Sequence, residues 1–326
     1  MRYGEMLSPR ARLPLCRLGV WEAFLKQGHA LSPSTVSVWG EDAPHETHFI
    51  CNPYGHGWHV DRRRLDDGLA VAAEEAGACV RRGARVTSCQ PRGAASWRVD
   101  FTGARGDERV HADFVVDATG RPSTLARAQG VPRVSHDRLV GIVCAFSDAH
   151  RISQPDRRTL VEAVASGWWY SAQLPDTRVV AAYMTDADLL STPKGRLAAH
   201  YQRLLDDAPR TRARVNDLTA DVKVVVMSAN SSTLERVTGA NWLAVGDAAM
   251  SVDPLSAQGI YRALESGIAA AETIGADAGE KAHAVQRYER RVQKAFHAYL
   301  RKRMTYYRSE TRWPQSLFWS RRHSPS

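Results

Sequence analysis

The sequence predicts an α/β fold in which an incomplete Rossmann-like domain carries an inserted, mostly antiparallel β-sheet domain. Three observations support this prediction. Two buried strands, at residues 115–117 and 243–245, each run into a glycine-bearing turn. Strand-like runs fill residues 139–226, interrupted by a helical segment at 194–208. A helical pattern then extends from about residue 279 to 310, where Trp313-Pro314 ends it.

These patterns divide the chain into four predicted parts. Residues 1–138 form the first part of the Rossmann-like domain, and residues 139–228 form the antiparallel-sheet substrate domain. Residues 229–278 return to the first domain, and residues 279–326 supply the C-terminal helix and a basic tail.

The first part reads as short helices and strands in alternation. Ser8-Pro9 predicts a helix start, because serine caps helices and proline suits the first helical position. Asp61 predicts the cap of a longer helix that ends at Gly77, and a short strand is expected at residues 78–82. A hairpin then leads into the first buried strand.

Composition indicates a soluble, cytoplasmic protein. Of the 326 residues, 44% are hydrophobic, which is enough for a core, but no apolar run approaches the roughly 20 residues that span a bilayer. The five cysteines form no Cys-x-x-Cys pair, so we expect buried, reduced thiols, no disulfide framework and no metal site. The net charge of +9 is concentrated near the C-terminus, where a solvated helix face is a better interpretation than nucleic-acid binding.

The turns after the two buried strands are candidate ligand sites. Ligands bind at the carboxyl ends of parallel strands, where glycine lets the backbone approach a cofactor. The candidate residues are Asp117, Thr119, Gly120, Gly246 and Asp247. A helix predicted to begin near residues 256–259 would direct its free amides toward the same place, which suits a nucleotide cofactor. Taken alone, a Gly-Asp turn is equally consistent with a purely structural role.

The order of the motifs resembles that of a known enzyme family. "VDR" at 60–62, "VVDATGRPS" at 115–123 and "WLAVGDAAMSVDPLSAQGIYRALESGIAAA" at 242–271 occur as in FAD-dependent monooxygenases of the single-component aromatic hydroxylase type and in flavin-dependent tryptophan halogenases. The resemblance implies a glutathione-reductase-type FAD-binding domain. It implies that Asp247 contacts the ribityl chain, that Arg62 lies near the cofactor, and that residues 254–260, including Pro254, Gly259 and Ile260, flank the isoalloxazine.

Three further stretches, "FICNPYGHGWHVDR", "GWWYSAQLP" and "YYRSETRWPQSLFWSRRH", are similar to a subgroup that hydroxylates a tryptophan of a partner enzyme during the biosynthesis of its quinone cofactor. A flavin that activates oxygen needs a water-poor aromatic pocket. The pocket candidates are His56, Trp58, His59, Trp168, Trp169 and Tyr170. The alternative is that the aromatic side chains are plain core and that each histidine has a structural role.

The sequence departs from the family pattern in two places. No Gly-x-Gly-x-x-Gly follows a strand, and "YGEMLSPRARLPLCRLGVWEAF" matches the segment that normally comes after that unit. We therefore expect Met1 to be a mis-set start or the beginning of a fragment, the alternative being that strong FAD binding has been lost. In addition, "GHALSPSTVSVWG" lacks the lysine of the halogenases, and "GWWYSAQLP" differs in spacing from their Trp-x-Trp-x-Ile-Pro run, which favours hydroxylation.

The resemblance implies an FAD-dependent monooxygenase. Reduced flavin would form a hydroperoxide that transfers oxygen to a small aromatic substrate or to a tryptophan of a partner protein. NAD(P)H or a separate flavin reductase would supply the electrons. The alternatives are a flavin-dependent halogenase, a reductase of the same fold, and a non-catalytic remnant that acts as an interaction protein.

Overall fold

The structure is a computed structural model that describes residues 5–93, 96–147, 156–190, 195–220 and 223–323. Its strands in chain order are β1 (Glu5–Leu7), β2 (Ala30–Ser32), β3 (Ser34–Val38), β4 (His45–His48), β5 (Gly57–Val60), β6 (Arg85–Arg92), β7 (Ser96–Gly103), β8 (Gly106–Ala112), β9 (Val115–Asp117), β10 (Arg133–Ser135), β11 (Leu139–Ser147), β12 (Thr159–Val164), β13 (Gly167–Gln173), β14 (Val179–Asp186), β15 (Thr219–Ala220), β16 (Val225–Ser228), β17 (Ser232–Leu234), β18 (Thr238–Gly239), β19 (Trp242–Ala244) and β20 (Met250–Ser251). Its α-helices are α1 (Arg12–Arg17), α2 (Trp21–Leu25), α3 (Arg62–Glu75), α4 (Thr124–Ala128), α5 (Leu197–Asp206), α6 (Pro209–Val215), α7 (Gly246–Ala249), α8 (Gly259–Ile274), α9 (Lys281–Ser309) and α10 (Leu317–His323), and Pro9–Ala11 and Pro254–Ser256 are 3-10 turns.

The predicted inserted sheet is present and is larger than expected. In the part of the chain that the structure describes, its order is β15-β11-β14-β13-β12-β3-β4, and β16 also pairs with β11. Neighbouring strands are antiparallel except β12 and β3, which are parallel. Strands β3 and β4 come from outside residues 139–228, because the segment between β2 and β5 extends this sheet.

The interior strand β14 shows why residues 139–226 contain so many apolar side chains. Every residue of β14 is buried, since both faces of the sheet are covered. One face packs against α5 and α6, and the other packs against residues of α9 and α10.

The two strands that the sequence singled out are neighbours. Strand β19 lies parallel to β9, with Leu243 opposite Val116 and Ala244 opposite Asp117, and β18 completes this small sheet. Its core side chains pack against α8 and α9. The carboxyl ends of both strands therefore meet at one edge, which confirms the predicted placement of the two turns.

The helix predictions agree closely with the structure. The Asp61 carboxylate caps α3 by accepting hydrogen bonds from the amides of Arg63 and Arg64. Helix α8 begins at Gly259, and α9 covers nearly the whole predicted C-terminal helix. Lys194, at the predicted start of the helical insertion, and residues 324–326 of the basic tail lie outside the described residues.

Two expectations are wrong. Residues 78–82 form no strand, because none of the described strands hydrogen-bonds to them. The cysteines are not uniformly buried: Cys16, Cys51 and Cys79 are exposed, and Cys144 is buried. Small thiols tolerate both settings, so composition alone cannot place them.

Among the described helices, none is long and apolar enough to cross a membrane.

Candidate functional site

The two strand-end aspartates have different environments. Asp117 is fully buried, and its carboxylate accepts hydrogen bonds from the amide and hydroxyl of Thr119 at 3.0 and 2.6 Å and from the Ala126 amide at 2.9 Å. The Thr119 hydroxyl in turn accepts one from the Thr124 amide. Asp117 and Thr119 therefore stabilise the turn and the first turn of α4. The Asp117 carboxylate uses its hydrogen-bond acceptors within the protein.

The glycines of the two turns have backbone conformations that favour glycine. Gly120 has φ +74°, and the space where a Cβ would stand is open. Gly246 has φ +54°, a Cβ there would lie 3.3 Å from the Cβ of Ala263, and its amide donates to the Ser266 hydroxyl at 2.8 Å. A side chain at Gly246 would push α8 away from the strand end.

Asp247 contrasts with Asp117, because among the described residues its carboxylate accepts no hydrogen bond. The Nε of Arg121 lies 3.8 Å from it. Burial raises the pKa of Asp247, and the nearby cations Arg121, Arg133 and Arg62 act against this rise. Its acceptor capacity is therefore available to a group from outside the chain.

Two arginines hold the chain around Asp247 in place. Arg133 donates to the carbonyls of Asp247 and Ala248 at 2.9 and 3.0 Å, and Arg121 donates to the carbonyls of Asn230 and Val252 at 2.7 and 3.2 Å. Burial lowers the pKa of Arg133 to about 10. The sequence analysis missed both residues, although Arg121 directly follows the Thr119-Gly120 turn.

Arg62 begins α3 and pairs with Asp66 at 3.3 Å. Together with Arg121 and Arg133 it surrounds the single carboxylate of Asp247 with an excess of positive charge. Such a site suits a ligand that carries both hydroxyl groups and negative charge.

The predicted Pro254 turn lies beside this site. The Asp253 carboxylate accepts a hydrogen bond from the Leu255 amide at 2.8 Å, and Ala257 has φ +48°, which makes the chain reverse before α8. Pro254 lines a cavity, and the Cβ position of Gly259 faces open space. Ile260 instead packs toward the apolar cluster around Leu7.

A cavity of about 970 Å³ extends from this turn along the inserted sheet and α9. Strands β3 and β4 supply one wall, and α9 supplies the opposite wall. Trp168 and Tyr170, two of the predicted pocket residues, line it. The structure therefore brings these two aromatic side chains together with the turn that the sequence predicted beside the cofactor.

A buried hydrogen-bond chain fixes Trp168. Its indole Nε1–H donates to the Tyr307 hydroxyl at 2.9 Å, and that hydroxyl donates to Asp253 at 2.6 Å. Arg303 lies 3.2 Å from the same carboxylate. These hydrogen bonds connect the inserted sheet, α9 and the Pro254 turn to one another. Sequence reasoning missed Asp253, Tyr307 and Arg303, because nothing local marks residues so far apart as partners.

The other pocket candidates lie outside the described lining of the cavity. His56 is exposed, and Trp58 packs against Trp21 and Phe24 in another cluster. Trp169 faces the opposite side of the sheet, 5.1 Å from the ring centroids of Tyr183 and Tyr201. This follows from the strand period of two, which sends Trp168 and Trp169 to opposite faces.

His59 lies one layer behind the cavity wall. Its Nε2 is 2.9 Å from the hydroxyl of Thr159, and Thr159 itself lines the cavity. Burial, with a smaller effect of Arg214, lowers the pKa of His59 to about 4. The ring is therefore neutral at pH 7 and can hold the Thr159 hydroxyl in one orientation.

The lowered pKa of His59 predicts acid sensitivity. Between pH about 6.5 and about 4 the unfolded chain binds a proton at this position and the folded chain does not, so stability falls as the pH falls through this window. We expect wild type to lose up to about 3 kcal/mol more than His59→Asn over this range. Urea unfolding of both proteins at several pH values measures the difference, and identical pH profiles would contradict the assignment.

Known proteins share this architecture. The chain matches the family described as tryptophan halogenase over residues 37–325. It is 28% identical over 295 residues to a putative FAD-dependent oxidoreductase, LodB, of Marinomonas mediterranea, covering 89% of this chain and 77% of LodB. It is 26% identical to the peptidyl tryptophan dihydroxylase QhpG, which is essential for tryptophylquinone cofactor biogenesis, with a TM-score of 0.80 over 99% of this chain and 71% of QhpG.

The flavin-dependent halogenase CmlS has the same fold at 24% identity, with a TM-score of 0.90 over all of this chain and 61% of CmlS. The chain thus spans roughly three-fifths to three-quarters of the length of these proteins. The family match covers most of the chain, from β3 to the end of α10. This protein belongs to the tryptophan halogenase family.

Proposed function

We propose that this protein is an FAD-dependent monooxygenase that hydroxylates an aromatic ring. The observation that carries the proposal is the pairing of a carboxylate acceptor, Asp247, with a large aromatic-lined cavity that includes the Pro254 turn, a few residues further along the chain. A cofactor at the first and an aromatic substrate in the second would meet at this turn.

The residues around Asp247 fit FAD. The carboxylate can accept hydrogen bonds from ribityl hydroxyls, while Arg62 and Arg121 supply positive charge for an anionic group. The open space above Gly120 and Gly259 leaves room for a flat cofactor to approach the backbone. Bound FAD would supply the redox chemistry and the activation of oxygen.

The chain's own part in the reaction is to position the substrate and exclude water. Trp168 is fully buried and is held in the cavity wall by Tyr307, and the half-buried Tyr170 beside it can pack against an aromatic ring. We propose a tryptophan of a polypeptide as the substrate, in view of the similarity to QhpG. We propose reduced nicotinamide, used directly or through a flavin reductase, as the electron source.

Hydroxylation is favoured over halogenation by the placement of lysines. Lys26, the lysine nearest to the "GHALSPSTVSVWG" segment, is exposed at the end of α2 and lies outside the described cavity lining. Among the described residues that line the cavity, the one lysine is Lys302, on α9. No lysine therefore lies in the segment where the resemblance places the halogenase lysine.

The test is a product analysis with the full-length protein, FAD, a nicotinamide reductant and a tryptophan-containing peptide, with and without chloride. We expect oxygen uptake coupled to a peptide that gains oxygen, whether or not chloride is present. Chlorinated peptide would indicate the halogenase alternative, and FAD binding without any product would favour the interaction-protein alternative. In a parallel assay with a quinone or an alkene in place of the peptide, reductant consumption with reduction of that substrate would indicate a reductase.

A further inference from the structure

One arginine in the cavity wall has no partner within the described chain. Arg262 lies in the first turns of α8 and lines the cavity next to the Pro254 turn. Its Nε is buried without a hydrogen bond, and no described carboxylate lies within ion-pair distance of its guanidinium. Its nearest aromatic contact is the ring of Tyr299, whose centroid is 5.8 Å from Cζ.

Arg262 is half-buried, and leaving its Nε cut off from water without a hydrogen bond is costly, because nothing replaces the lost hydration of that group. Burial accordingly lowers the pKa of Arg262. Two of the three carboxylates in the described cavity lining pair with other arginines: Asp253 with Arg303 at 3.2 Å, and Glu265 with Arg291 at 2.8 Å. The third, Glu41, forms no ion pair with Arg262 among the described residues. The donors of Arg262 are therefore left for a ligand that enters the cavity.

The surroundings of Arg262 favour an anion over a neutral acceptor. Arg10, another lining residue, lies with Cζ 5.9 Å from the ring centroid of Tyr261, and Lys302 extends the positive wall on α9. The half-buried Tyr170 and Tyr261 line the same cavity, with the fully buried Trp168 behind them. The cavity thus presents both an aromatic surface and a cationic group to one ligand.

We propose that Arg262 binds a carboxylate close to the aromatic ring of the substrate. The proposal rests on the proposed function, in which this cavity holds the ring to be oxidised. The planar guanidinium can bind a carboxylate with two parallel hydrogen bonds, which fixes the orientation of the attached ring as well as its affinity. The carboxylate can belong to the tryptophan itself or to a neighbouring acidic side chain in a peptide.

The test compares two probes of nearly equal shape, indole-3-propionate and indole-3-propionamide, by calorimetric titration of the FAD-loaded protein without reductant. We expect wild type to bind the carboxylate at least about tenfold more tightly, as one charge-assisted contact predicts. Arg262→Gln should lose this preference and keep its affinity for the amide. Arg301→Gln, on the wall helix α9 but outside the described cavity lining, should keep the preference.

Two peptide pairs distinguish the source of the carboxylate. A preference for N-acetyltryptophan over its amide identifies the tryptophan's own carboxylate, and a preference for Asp-Trp over Asn-Trp in blocked dipeptides identifies an acidic neighbour. The proposal would be overturned if Arg262→Gln kept the preference for the carboxylate, or if wild type bound neither probe. It would also be overturned if Arg262→Gln lost affinity for FAD and not the preference for the carboxylate. Loss of oxygen transfer with the preference intact would count against the proposed function alone.

Discussion

Replacing Asp247 by alanine is expected to weaken FAD binding by about 10- to 100-fold. The variant removes a carboxylate that among the described residues accepts no hydrogen bond, so the chain loses only the long ion pair with Arg121 at 3.8 Å. Hydrogen bonds to a charged group contribute about 1.5–3 kcal/mol, which corresponds to this factor. The variant also removes the negative charge beside Arg121 and Arg133, so the site becomes more positive, which by itself would strengthen the binding of an anionic cofactor. A loss of affinity therefore reports on the lost hydrogen bonds.

Quenching of FAD fluorescence on titration with protein gives the dissociation constants. The matched control is Asp277→Ala, an exposed aspartate just beyond α8, which should bind FAD as wild type does. Equal affinities for wild type and Asp247→Ala would show that Asp247 has only a structural role in its turn.

Replacing Asp253 by alanine is expected to cost about 3 kcal/mol of stability, because the buried Arg303 would lose its ion pair with Asp253 and keep only the one with Asp137 at 3.1 Å. The side chains of Asp253 and Arg303 are 1% and 12% exposed, and the Tyr307 hydroxyl would also lose its acceptor. Burial raises the pKa of Asp253, and Arg303 and the hydrogen bond from Tyr307 oppose this rise. Guanidinium unfolding curves measure the change in the free energy of unfolding.

Asp188 supplies a matched control for this experiment. Its carboxylate pairs with Arg321 at 2.6 Å, but its side chain is 37% exposed. Asp188→Ala should therefore cost much less stability than Asp253→Ala. Similar losses for Asp188→Ala and Asp253→Ala would contradict the view that the buried chain of Asp253, Tyr307 and Trp168 holds the Pro254 turn against the sheet.

Local signals in the sequence located the elements of the site well. Asp61 as a helix cap, the glycine turns after β9 and β19, and the start of α8 all depend on residues within a few positions of one another. The antiparallel sheet was also predictable, since its strands are long and apolar. What local signals could not show is that β3 and β4 join that sheet through a parallel pairing between Val36 and Leu160.

The choice of pocket residues shows the same limit. Adjacent aromatic residues alternate sides on a strand, so only the packing of the sheet decides that Trp168 faces the cavity and Trp169 does not. Trp58 is also a tryptophan near the flavin-like motifs, but it packs against Phe24 in a different cluster. Tyr307 is hydrogen-bonded to Trp168, and Arg262 lines a cavity built from residues that are distant in the sequence. No local pattern therefore marks either residue.

The most direct test of the central claim, that flavin and aromatic substrate meet at the Pro254 turn, is the visible absorption spectrum of the FAD-loaded protein during titration with indole-3-propionate. We expect FAD to stay with the protein through gel filtration and the indole to perturb the flavin bands, with a saturation curve that matches the calorimetric binding. Bound FAD whose spectrum does not respond to a bound indole would place the two ligands apart and contradict the account. A folded protein that releases all its FAD would contradict it as well.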